Sequence, residues 1–169
     1  MGELANHPCI PKPPLAVTVT NWNQLNTLNT TVTELTVASN SLNDASLTML
    51  DLSRFRRLKR IVIGYECFMY VNELKMVGLK ALESVEIGKN SFTKNKNYYG
   101  NNSNRRFYVR NCPKLKSLKI GRYSFSDYSV IEIENMDSLE VIEMGTVNQY
   151  TESFYYASLE LKSNEEENE

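Results

Sequence analysis

The chain has 169 residues, 41% of them hydrophobic and 23% charged, with a formal net charge of −1. That is enough length and apolar content for one packed domain, and it excludes a wholly disordered or collagen-like polypeptide. No apolar run approaches the roughly 18 residues that a membrane-spanning helix requires.

Residues 1–14 hold Pro8, Pro11, Pro13 and Pro14 beside His7, the sole histidine of the chain. Proline fixes φ and removes a donor, so this stretch is expected to be a flexible Pro-rich tail. It has no apolar core of signal-peptide length and no other targeting signal; a cytoplasmic and a surface-associated location both stay open. Next come Val17, Val19, Trp22, Leu25 and Leu28, which suit an N-terminal cap closing the apolar end of a stack.

From Val32 onward the chain repeats. Leu58-Lys-Arg-Ile61-Val-Ile63-Gly64 aligns with the segments that begin at Leu82, Leu115 and Leu139 and end at Gly88, Gly121 and Gly145. These leucines stand 24, 33 and 24 residues apart, a period of 24 with nine residues inserted once. A fainter copy begins at Val32, with two further residues inserted before Leu58. Ten residues after three of the leucines come Phe68, Phe92 and Phe125, whereas the fourth has Gln149. Apolar pairs precede each leucine: Leu50 with Leu52, Leu74 with Met76, Phe107 with Val109, and Ile131 with Ile133.

Each unit thus contains two stretches of alternating apolar residues, the pattern of half-buried strands. The glycine after the first stretch permits a positive φ or a close bend. Between Gly121 and Asn135 there is room for no more than a short helical turn, around Ser124, Phe125 and Ser126. Stacked units of this kind predict a β-rich solenoid of parallel strands with few short helical turns. The segment around Phe154 to Leu161 reads as one more second strand, and 163–169 as an acidic disordered tail.

The pattern L-x-x-[IVL]-x-[IM]-G-x-x-S-F, with Asn111-Cys112-Pro113-Lys114 before Leu115, resembles the BspA-type leucine-rich repeat over roughly Val32 to Gly145. Glycine replaces the proline that commonly ends the first strand there, which marks a divergent branch. The resemblance implies a leucine-rich-repeat solenoid over 15–162 that binds or adheres to other proteins, and it implies no catalysis. Fold analogy leaves the partner open.

The insertion, 94–106, is the most distinctive local feature. From Lys89 to Arg110 inclusive there are six basic residues and no acid, and Tyr98 and Tyr99 sit in the middle. Insertions in repeat arrays map to surface loops, and tyrosine with arginine is favoured at interface hot spots. Lys94, Lys96, Tyr98, Tyr99, Arg105 and Arg106 are therefore the candidate partner-binding residues. A protein with an acidic patch is the expected partner; self-association is the alternative.

Charge is segregated along the chain. Residues 54–126 carry 17 Lys/Arg against 4 Asp/Glu, and residues 127–169 carry 1 against 12. Lys59, Glu83, Lys116 and Glu140, each one residue after a repeat leucine, alternate in sign and predict a ladder across neighbouring strands. The run Arg54, Arg56, Arg57, Lys59, Arg60 is basic, but no DNA- or RNA-binding signature accompanies it, so a nucleic-acid partner is disfavoured.

No catalytic constellation, cofactor motif or metal site is expected. A Ser-His-Asp or Cys-His pair would need its base from His7 in the tail, and neither C-x-x-C nor H-x-x-x-H occurs. Three cysteines give no closed disulfide framework; Cys67 and Cys112 fall in apolar columns and read as small core residues. The chain is expected to be no enzyme, with no small-molecule substrate.

Overall fold

A computed structural model describes residues 15–94, 104–145 and 157–163, with Lys12 and Ser153 besides. The period-two stretches form strands, as their alternation requires. β1 (Ala16–Val19) is followed by α1 (Trp22–Asn26), then by β2 (Glu34–Val37), β3 (Met49–Asp51), β4 (Arg60–Ile63), β5 (Glu73–Val77) and β6 (Ser84–Ile87). After the insertion come β7 (Arg106–Arg110), β8 (Ser117–Ile120), β9 (Val130–Glu134), β10 (Val141–Met144) and β11 (Ser158–Lys162).

Every pairing is parallel. One six-stranded sheet runs β1-β2-β4-β6-β8-β10, and one five-stranded sheet runs β11-β9-β7-β5-β3. Each repeat unit therefore gives its first strand to one sheet and its second to the other. Register follows the sequence columns: Leu35 opposes Ile61, Ile61 opposes Val85, and Val85 opposes Leu118. In the second sheet Leu74 opposes Phe107, which opposes Ile131. The inward side chains of both sheets meet in one apolar core that also takes in the repeat leucines 58, 82 and 115.

The corner between the two strands of a unit is not helical. Tyr123 and Phe125 have φ of 62° and 58°, and Asn40/Leu42, Glu66/Phe68 and Asn90/Phe92 repeat the same left-handed pair. Two such residues per unit cannot continue a right-handed turn, so the segment around Ser124, expected to hold at most a short helical turn, is a sharp bend. Each non-glycine residue held there costs on the order of 1 kcal/mol or more. Stacked rings offset it: the ring centres of Phe68 and Phe92 lie 4.9 Å apart and those of Phe92 and Phe125 4.8 Å apart, with nearly parallel planes. All three are fully buried, worth roughly 1.5–3 kcal/mol per side chain.

A hydroxyl ladder lies beside the rings. Ser91 Oγ donates to the Gly64 carbonyl at 2.8 Å and accepts from the Cys67 N–H at 3.2 Å. Ser124 Oγ donates to the Gly88 carbonyl at 2.6 Å and accepts from the Ser91 N–H at 3.0 Å. Cys67 takes the same position with its thiol, 3.1 Å from the Ala38 carbonyl. Ser153 Oγ continues the series onto the Gly121 carbonyl at 3.0 Å. The ladder's next hydroxyl is thus Ser153, five residues later than Asn148, where strict periodicity would place it.

Close approach explains the glycines after the first strands better than a positive φ does. A Cβ on Gly88 would lie 2.6 Å from the Gly64 carbonyl carbon and 2.6 Å from the Tyr65 nitrogen. Of the four aligned glycines only Gly145 has a positive φ. At the start of the stack, Asn21 caps α1 by accepting from Gln24 N–H at 3.0 Å, and Leu25 is buried under it. Arg54 closes the other end of α1, donating to the Leu25 carbonyl at 2.7 Å and the Asn26 carbonyl at 3.0 Å. Trp22, expected in this cap, is 39% exposed.

Candidate functional site

The insertion leaves the fold just after the bend at Phe92 and returns at β7. Of its candidate residues, Lys96, Tyr98 and Tyr99 lie outside the described residues. The other three go to three different environments.

Lys94 is exposed, and its Nζ sits 5.6 Å above the Tyr70 ring of the preceding unit. Its backbone N–H donates to Asp127 Oδ2 at 3.1 Å. Arg105 is not on the surface. Its exposure is 2%; the guanidinium pairs with Asp127 and donates to the carbonyls of Met69 and Val71 at 2.8 and 2.9 Å. It also lies 5.0 Å from the Tyr128 ring centre, and Tyr128 OH donates to the same Val71 carbonyl at 2.5 Å. Burial pushes the Tyr128 phenol far above its ordinary range, so it stays protonated as a donor. Arg105 therefore cannot touch a partner as expected; a charge out of water must be paired, and here Asp127 pairs it. Arg106 points outward from β7, exposed, with its guanidinium 3.5 Å from Tyr108 OH.

Asp127 is thus the clamp of the insertion, since one carboxylate oxygen holds both its entry (Lys94) and its exit (Arg105). Around it, Thr93 and Ser126 hydroxyls share a hydrogen bond of 2.6 Å, and Ser129 Oγ donates to the Arg105 carbonyl at 3.1 Å. Sequence reasoning missed Asp127, Tyr128, Thr93 and Ser126. The available signal was positional: Asp127 falls in the column of Tyr70 and Lys94, one unit beyond the insertion.

The surface beside the clamp is aromatic and basic. Tyr65 is 44% exposed with Lys89 Nζ 5.8 Å from its ring, and Arg122 lies 4.4 Å from the Tyr123 ring. Met69 adds an exposed apolar side chain four residues after Tyr65. This corner carries tyrosine, lysine and arginine at one-strand spacing, a composition suited to contact with an acidic protein surface.

The charge segregation has a structural counterpart. On the outer face of the second sheet, basic β7 lies beside acidic β9, and Arg110 pairs with Glu132 and with Glu134 at 3.4 Å. In the first sheet Lys119 meets Glu143 at 3.3 Å and Arg60 meets Glu86 at 3.8 Å. The ladder expected from Lys59, Glu83, Lys116 and Glu140 forms no ion pair among the described residues; all four point into solvent. Cys67 and Cys112 are free and buried, and burial pushes both thiols up. Among the described residues no group of His, Cys, Asp and Glu is arranged to hold a metal ion, and no helix is long and apolar enough to cross a membrane. The chain matches no family model, no curated protein and no solved structure.

Proposed function

We propose that the chain is a non-enzymatic leucine-rich-repeat solenoid that binds another protein through the insertion and the neighbouring corner. The observation that carries this reading is the Asp127 clamp. Burying an ion pair costs several kcal/mol in lost solvation, roughly offset only when its hydrogen bonds are made. An array of apolar columns needs no such pair to stack. Its position at the two roots of the insertion accounts for it as a device for presenting that segment. Exposed Tyr65, Met69, Lys89 and Lys94 supply the contact chemistry, and an acidic patch is the complementary partner surface.

The test is capture from a lysate by the intact chain and by a Lys94→Glu, Lys96→Glu, Tyr98→Ala, Tyr99→Ala variant that keeps Arg105. A protein held by the first and lost by the second, at unchanged urea midpoint, supports the reading. Recovery of the same set by both chains removes it.

A second reading, self-association as a structural array, draws on the last repeat unit. Val141, Leu159 and Leu161 are exposed there, and β10 and β11 are edge strands. Light scattering against concentration discriminates: a monomer at high concentration and low salt removes this alternative.

A further inference from the structure

The corner opposite the insertion, where each second strand turns back toward the next first strand, carries a separate basic ridge. Arg57, Lys80 and Lys114 occupy it in successive units, with Lys59 and Lys116 a few residues on. All five are exposed and none forms an ion pair among the described residues. Glu83 is the single acid on this corner across those three units; Asp137 and Glu140 follow in the next. On the outer faces of the two sheets, by contrast, Arg110, Lys75 and Lys119 each pair with a carboxylate. The ridge is therefore a line of unneutralised positive charge on a chain whose net charge is −1.

The missing negative charge lies in the same chain. Residues 164–169 read Asn-Glu-Glu-Glu-Asn-Glu. They follow Ser163, which comes directly after the Lys162–Glu134 pairing position and so takes the place that Asn135, Asn111 and Gly78 hold in earlier units. That is the start of the ridge corner. Neighbouring strands stand about 4.8 Å apart, so Lys114 lies about 10 Å, Lys80 about 14 Å and Arg57 about 19 Å back along the stack. Six extended residues reach about 20 Å. Exposed Tyr65 and half-buried Tyr70 and Tyr123 belong to the other corner, so the ridge lacks the stacking platform that a single-stranded nucleic acid uses.

We propose that the acidic segment 164–169 folds back in cis across the Arg57–Lys80–Lys114 ridge and competes there with any acidic peptide from outside. This stands apart from the insertion and its partner, so either reading can fail alone.

Zero-length carbodiimide cross-linking of the intact chain, at low concentration and low salt, tests it. The expected products join Glu165, Glu166, Glu167 or Glu169 to Lys80, Lys114 or Lys116, and they disappear in high salt. An equal mixture of light and nitrogen-15-labelled protein is expected to give unmixed cross-links. Mixed ones would put the segment on a second copy and overturn the cis arrangement. Links to Lys89 or Lys94 instead of the ridge would overturn the site.

The second arm uses a fluorescent Glu-rich peptide as probe. A variant with the four tail glutamates changed to Gln is expected to bind it at least about tenfold more tightly than the intact chain, and adding Lys80→Glu and Lys114→Glu abolishes that gain. Equal affinity of the intact and Gln-tailed chains overturns the proposal.

Discussion

Asp127 pairs with Arg105 through Oδ2, and that same oxygen accepts the Lys94 N–H at 3.1 Å. The insertion is thereby pinned at both roots to the unit that follows it, and Arg105 is pinned onward to Met69 and Val71 of the unit before. Three consecutive units are joined by polar bonds around a single buried ion pair.

Breaking this pair from one side leaves a buried charge alone. Asp127→Ala is expected to lower stability by about 3–5 kcal/mol. The double variant Arg105→Met, Asp127→Leu should recover most of that, because an apolar pair of similar volume needs no solvation. Urea midpoints of the two single variants and the double one check it. Singles and double falling by additive amounts would mean the two side chains act independently.

Gly88 and Gly78 separate close approach from backbone conformation. Alanine at 88 would drive its Cβ into backbone atoms of the preceding unit at 2.6 Å, which no rotamer change relieves. A loss of about 3 kcal/mol or more is expected. At Gly78 the nearest atom is the end of the Arg56 side chain, and φ is +66°. Alanine there should cost about 1–2 kcal/mol, the ordinary left-handed penalty. Equal losses in thermal melts would undo this distinction.

Ser91→Ala removes a hydroxyl that serves two buried backbone groups, the Gly64 carbonyl and the Cys67 N–H. Leaving them unmet costs about 1–3 kcal/mol each. Ser91→Cys should be milder, since Cys67 already fills the equivalent position with a thiol 3.1 Å from the Ala38 carbonyl. Denaturant titration ranks the three chains; alanine and cysteine giving the same midpoint would deny the ladder its role.

Stability should fall at alkaline pH. Burial raises the Cys67 and Cys112 thiols above their ordinary 9.0 and the Tyr128 phenol above its ordinary 10.0. The unfolded chain releases these protons first. The contribution is therefore complete below about pH 9 and is lost as pH rises beyond it toward the raised folded values. Urea midpoints between neutral pH and about pH 10 should drop, and a Cys67→Ala, Cys112→Ala variant should drop less. A flat profile for the parent chain would contradict this.

Strand positions were legible from residue order because parallel, in-register stacking places identical columns side by side. A leucine or isoleucine every second residue, repeated at a fixed spacing, leaves one way to bury all of them, and the two parallel sheets follow. Cys67 and Cys112 were readable as core for the same reason. The bends were not legible: phenylalanine is a poor residue for positive φ, and only the stack of Phe68, Phe92 and Phe125 makes that conformation favourable. The fate of Arg105 was equally hidden. Beside Lys94, Lys96 and Arg106 it reads as one more surface cation, and nothing local marks it for burial. Its partner Asp127 comes from the next unit, its carbonyl acceptors from the unit before, and those three are brought together only by stacking. Periodicity alone determined the strands and their order; where charge is buried depended on which units the insertion separates and which side chain closes the gap.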